Sequence, residues 1–100
     1  MTRPLRVAAL QAAFGEDMAG NIRKVERLVR AAAKDGAQVI LPPELFQGPY
    51  FCKREETRWF AHAYPYREHP AVIALAPLAR ELGVVLPLSI YEKAGQEYYN

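Results

Sequence analysis

Val39-Ile40-Leu41-Pro42-Pro43-Glu44-Leu45-Phe46 leads an apolar run through two prolines to a single carboxylate. Val39, Ile40 and Leu41 read as a buried strand. The prolines end it, because each lacks the N–H that a ladder requires and has its φ fixed by the ring. Glu44 therefore falls just past the C-terminal end of a strand. In open α/β folds the sheet holds such a loop rigidly while leaving its side chains free to meet a ligand. Between Pro43 and the apolar pair Leu45 and Phe46, the glutamate is expected to lose part of its hydration. Desolvation moves a carboxyl group toward the range where it both takes and gives protons near neutrality. The local residues leave two readings open: an acid–base catalyst, or an ordinary loop glutamate that caps the next helix or faces water.

Upstream of this stretch, Arg6 to Leu10 forms another apolar run suited to a buried strand, and a turn around Gly15 follows. Ile22, Val25, Val29, Ala32 and Ala33 then recur at three- and four-residue spacing, with Arg23, Lys24, Glu26, Arg27, Arg30 and Lys34 on the other faces. That is one amphipathic helix. Asp17, or alternatively Asn21, suits its N-cap, and Gly36 suits the left-handed position that stops it. Glu26 and Arg30 make an i,i+4 pair worth about 0.3 kcal/mol. A strand over Gln38 to Leu41 comes within a few residues, so the opening unit is strand, helix, strand. Such a unit makes the two strands parallel and its crossover, by the general rule, right-handed.

Downstream, Lys53 to Ala63 is charged and aromatic and reads as a short helix with Trp59 and Phe60 turned inward. After a break at Tyr64-Pro65-Tyr66, Pro70 suits the first turn of a helix running to Leu82, with Gly83 as its stop. Pro77 removes one hydrogen bond there and is expected to kink or divide the helix. Val84 to Glu92 reads as a strand in which Pro87 marks a bulge or an unpaired position. Lys93-Ala94-Gly95-Gln96 reads as a hairpin turn, with Tyr98 and Tyr99 starting the returning strand. That strand stops at Asn100, which leaves an unpaired edge. The expectation is therefore the N-terminal part of a longer domain that continues past Asn100.

One hundred residues with 51% hydrophobic and 24% charged content suffice for a single core. A net charge of +2, with Arg and Lys scattered among Asp and Glu, gives no footprint for nucleic acid or an anionic membrane. No apolar run approaches transmembrane length, and Met1-Thr2-Arg3-Pro4 passes straight into a strand-like pattern without a signal-peptide core. One cysteine forms no internal disulfide. The expected location is cytoplasmic.

The chain resembles the N-terminus of the nitrilase superfamily of carbon–nitrogen hydrolases. The features that carry the likeness are Val7-Ala8-Ala9-Leu10-Gln11, the helix containing Asn21, Gly36-Ala37-Gln38-Val39-Ile40-Leu41 and then Glu44-Leu45-Phe46. Gly48-Pro49-Tyr50-Phe51-Cys52, Leu82-Gly83-Val84-Val85-Leu86-Pro87-Leu88-Ser89 and Tyr98-Tyr99-Asn100 are similar to the branch that cleaves N-carbamoylputrescine, more than to the nitrilases proper. The resemblance implies an α/β fold, the first part of a four-layer α-β-β-α sandwich, and assembly into homo-oligomers. It implies a catalytic glutamate, lysine and cysteine from separate loops, of which only the glutamate, at Glu44, lies in this sequence. The implied chemistry is covalent: a thiolate attacks a ureido carbon of a small-molecule substrate, and no metal or other cofactor is called for. A carbamoyl-amino-acid amidase, an ω-amidase and a non-catalytic assembly subunit are the alternatives.

Cys52 and Lys53, eight and nine residues past Glu44, mimic a compact catalytic set. Adjacent side chains diverge, however, and the family nucleophile lies on a later loop, so Cys52 reads as buried and inert. His62 and His69 lack a third ligand at metal spacing and read as solvated or locally bonded histidines. Tyr50, six residues beyond Glu44, reads either as a substrate-pocket residue or as an ordinary packed aromatic.

Overall fold

The computed structural model describes residues 3–50 and 56–100. The expected unit of strand, helix and strand is present: β1 (Val7–Ala9), α1 (Met18–Lys34) and β2 (Val39–Leu41). β1 and β2 pair in parallel, with Val7 opposite Val39 and Ala9 opposite Leu41. The loop after β1 is fastened to α1 by Asn21. Its side chain accepts from the Gly15 N–H at 3.2 Å and donates to the Gly15 carbonyl at 2.7 Å. Asp17 occupies the N-cap position, but its carboxylate makes no capping bond. At the other end of α1, Gly36 takes a φ of 95°, the left-handed geometry that only glycine adopts without strain.

After a 3₁₀ turn at Thr57–His62 and another at Tyr66–Glu68, α2 (Pro70–Leu82) runs to Gly83, whose φ of 66° closes it. Pro77 does not divide α2. It is exposed, as is Ile73, whose carbonyl loses its helical partner, and water can satisfy that group. β3 (Glu92–Ala94) and β4 (Glu97–Tyr99) make the expected antiparallel hairpin, turning at Gly95 with a φ of 65°.

Ile22, Val25 and Val29 from α1, Ile40 from β2, Phe46, and Ala71, Leu75 and Leu78 from α2 form the buried cluster. Full burial of each larger side chain contributes about 1.5–3 kcal/mol. The two helices thus cover one face of the β1–β2 pair. The other face is open, with Val7 68%, Leu41 50% and Val85 59% exposed. The expectation that Val39, Ile40 and Leu41 are all buried therefore holds only for Ile40, because alternate side chains point to opposite faces and the described residues cover one. Phe60 likewise does not turn into this core. It is 47% exposed and packs its ring 4.5 Å from that of Tyr98, while Trp59 goes inward.

The strand expected over Val84 to Glu92 forms at its two ends. Val85 bridges β2 in parallel, receiving a bond from the Ile40 N–H and giving one to the Gln38 carbonyl, both 2.9 Å. The ladder stops before Pro87, which has no N–H to contribute, and regular pairing resumes at Glu92. Tyr64 ties the hairpin back: its N–H reaches the Tyr91 carbonyl at 3.2 Å and its carbonyl accepts from Lys93 at 2.9 Å.

His69 caps α2. The side chain is fully buried, and its Nδ1 accepts from the Ala71 N–H at 3.0 Å, which places the proton of the neutral ring on Nε2. Burial lowers its pKa from 6.5 to about 4. The folded state thus refuses a proton that the unfolded chain accepts, so stability present above pH 6.5 is lost as pH falls toward 4. Replacing His69 with Asn substitutes a capping oxygen for the ring nitrogen and removes the titration. The stability advantage of wild type over His69→Asn, read from urea unfolding, is expected to shrink by roughly 2 kcal/mol between pH 7 and pH 4. A constant difference would show that the folded and unfolded chains bind this proton equally, so that burial does not lower the pKa.

Candidate active site

Past Leu41 the chain leaves the sheet through Pro42 and Pro43 and enters a turn over residues 44–47. Leu45 has a φ of 51°, the single left-handed non-glycine among the described residues. For a leucine this conformation costs roughly 1–2 kcal/mol. Two effects offset it. Leu45, Phe46 and Gln47 are all buried, and the Leu45 N–H donates to Ser89 Oγ at 3.2 Å. Phe46 meets Phe14, from the loop after β1, at a ring separation of 6.1 Å. The Gln47 side chain donates from Nε2 to the Ser89 carbonyl at 2.8 Å. The loop is thereby held on both its apolar and its polar sides.

The same turn sends Glu44 outward. Its side chain is exposed, not half-dried by Leu45 and Phe46 as its neighbours suggest, because the left-handed step rotates those residues into the core and away from it. One of its oxygens, Oε1, accepts from Asn100 Nδ2 at 2.5 Å. Asn100 Oδ1 in turn accepts from Ser89 Oγ at 2.8 Å. Among the described residues the carboxylate has no ion pair. A carboxylate at the end of a parallel strand, gripped through one oxygen by an amide, is suited chemically to proton transfer.

Tyr50 is exposed on the same loop. Cys52 and Lys53 lie outside the described residues. His62 is half-buried and sits beneath the loop. It lines, with Leu45, Gln47, Gly48, Pro49 and Tyr91, a cavity of about 10 Å³ that has room for no more than one water. A larger open groove of about 540 Å³, between α2 and the 86–92 segment, shares no residue with the Glu44 network. No group of three His, Cys, Asp or Glu side chains that could hold a metal occurs among the described residues. Nor is any described helix long and apolar enough to cross a membrane.

Ser89 and Asn100 were not distinguished as site residues by sequence reasoning. The available signal was the one hydroxyl in the run Leu86-Pro87-Leu88-Ser89-Ile90 and the amide directly after Tyr98-Tyr99.

The family model described as carbon-nitrogen hydrolase matches residues 6–100, and the chain belongs to that family. It is 47% identical over 98 residues to an N-carbamoylputrescine amidase of Solanum tuberosum, a match that covers 98% of this chain and 33% of the relative. It is 38% identical over 96 residues to a citrullinase of Francisella tularensis subsp. tularensis, covering 96% of this chain and 34% of that protein. The crystal structure of a carbon-nitrogen hydrolase from Helicobacter pylori G27 superimposes with a TM-score of 0.84 at 25% identity, over 96% of this chain and 33% of that one. The α/β fold is therefore that of the carbon–nitrogen hydrolases, as the resemblance to the nitrilase superfamily implied. The chain spans about one third of the length of the curated relatives it matches.

Phe46 is the apolar anchor of the Glu44 loop. Phe46→Ala is expected to cost about 3–5 kcal/mol in chemical unfolding, since a closely packed ring leaves a cavity. A loss below 1 kcal/mol would show that the loop is held by its polar contacts instead.

Proposed function

We propose that this chain carries the acid–base residue of an amidohydrolase acting on N-carbamoylputrescine. The observation that carries the reading is the placement of Glu44, beyond the end of β2 on a buried and strained loop, in a chain 47% identical to an N-carbamoylputrescine amidase. In this reading a lysine and a nucleophilic cysteine complete the set in the full-length protein, within the two thirds of its relatives' length that this chain does not span. Their loops dry the outward face of Glu44, which the described residues leave open.

In this reading Glu44 takes the thiol proton and the thiolate attacks the ureido carbon. The tetrahedral oxyanion is stabilised by the lysine and a backbone N–H. Collapse breaks the bond to the substituted nitrogen, which leaves as putrescine with the proton that Glu44 returns to it. A carbamoyl group stays on sulfur. Glu44 then draws a proton from water as the hydroxide adds to that carbamoyl carbon. The thiol is regenerated and the carbamic acid released decomposes to carbon dioxide and ammonia. Tyr50 lines the pocket for the diamine chain. The product places the enzyme in polyamine synthesis, as a cytoplasmic homo-oligomer.

The second reading is a carbamoyl amino acid as substrate, and the 38% identity to a citrullinase favours it. Citrulline bears the same ureido group, so the reacting end would be handled identically and the far end differently. Competition between N-carbamoylputrescine and citrulline in the full-length protein separates the two. The expected outcome is preference for the diamine, with putrescine and ammonia released in equal amounts. Glu44→Gln is expected to retain the fold by circular dichroism and lose about 10²–10⁴-fold in kcat. Retention of most activity would assign the base to another residue. Tyr50→Ala is expected to raise KM more than it lowers kcat.

A further inference from the structure

A closed set of hydrogen bonds joins Glu44 to two residues that the proposed chemistry does not use. Ser89 Oγ accepts from the Leu45 N–H at 3.2 Å and gives its own hydrogen to Asn100 Oδ1 at 2.8 Å. Asn100 Nδ2 then donates to Glu44 Oε1 at 2.5 Å. The direction of each bond follows from the one before it. A backbone N–H only donates, so it takes a lone pair of the hydroxyl. The hydroxyl has one hydrogen, which goes to the amide oxygen, and the amide is left facing the carboxylate with its NH₂. The peptide bond between Glu44 and Leu45 closes the ring.

We propose that Ser89 and Asn100 are positioning residues that assign different tasks to the two oxygens of Glu44. Oε1 is committed to the Asn100 amide, and Oε2, which is not part of the ring, exchanges every proton in the cycle. An amide NH₂ has no lone pair to offer a hydroxyl, so a proton placed on Oε1 would abut a donor, whereas one on Oε2 leaves the bond to Asn100 intact. A glutamate has several rotatable bonds, and a proton-transfer group needs placement within about 0.5 Å of its productive geometry. The ring supplies that placement from the hairpin side. The hairpin is itself seated firmly: Tyr98 packs against Phe60 at 4.5 Å and Tyr91 at 5.7 Å, and Lys93 bonds to Tyr64 at 2.9 Å.

This inference rests on Glu44 being the acid–base group, and the test separates the two ideas. In the full-length protein, Asn100→Ala is expected to lower kcat about 10–100-fold, with KM changed less than threefold, because misplacement touches the proton-transfer step and not substrate capture. Ser89→Ala is expected to act in the same sense and Ser89→Thr, which keeps both bonds of the hydroxyl, to restore activity. Asn100→Asp sets two carboxyls face to face. It is expected to be worse than Asn100→Ala at pH 7.5 and to recover as pH falls, when the added carboxyl gains a proton and donates again. A residue of merely structural importance would give equal losses for Ala and Asp and no recovery. If Glu44→Gln is inactive while Asn100→Ala keeps kcat within twofold of wild type, the positioning role is overturned and the acid–base assignment stands. If Glu44→Gln itself retains most of its activity, both fall.

Discussion

The left-handed backbone at Leu45 is the constraint on which the geometry of this site depends. Two prolines end β2, and the next non-glycine residue but one adopts a conformation that its side chain resists. The turn persists because both outcomes of undoing it are worse. Relaxing φ would withdraw Leu45 and Phe46 from the core, and it would strip the Leu45 N–H of its acceptor on Ser89. Strain of this kind, overdetermined by packing on one side and hydrogen bonding on the other, recurs where a protein must present a reactive group. Here it separates one polar residue from its apolar neighbours within a single peptide unit.

The scaffold under that turn was legible in the sequence wherever periodicity or turn chemistry was strong. The spacing of Ile22, Val25 and Val29 defined α1 and its buried face, Gly36 and Gly83 marked where the helices stop, and Gly95 marked the hairpin. Parallel pairing of β1 and β2 followed from the helix between them. Less was readable where partners decide the outcome. The 84–92 segment has the composition of a strand, but composition does not say what lies beside it, and the ladder needs an N–H that Pro87 lacks. Phe60 is as apolar as Trp59, yet it found Tyr98 instead of the core.

At the site itself, the position of Glu44 at the strand end could be read directly, while its surroundings could not. Its flanking residues suggested a dry carboxylate. In a strand-like or helical backbone, neighbours in sequence are a fair proxy for environment, and a left-handed residue breaks that proxy because it reverses the direction in which the next side chains leave. Ser89 and Asn100 lie 45 and 56 residues downstream, a separation at which only the folded chain reveals adjacency. His69 was hidden for another reason. Histidine is an uncommon helix cap, and its role depends on a buried ring nitrogen turned toward the Ala71 amide.

The β3–β4 hairpin gives the architecture a lever. Asn100 is the residue next after β4, so the angle at which the hairpin leaves Tyr64 determines where the amide arrives at Glu44. The arm is held by main-chain bonds at one end and carries the Asn100 amide at the other, with Gly95 at the turn between its two strands. Changes in hairpin length or twist far from the carboxylate are thereby converted into changes in how it is held, which makes this peripheral ribbon a natural place for adjusting the loop without touching it.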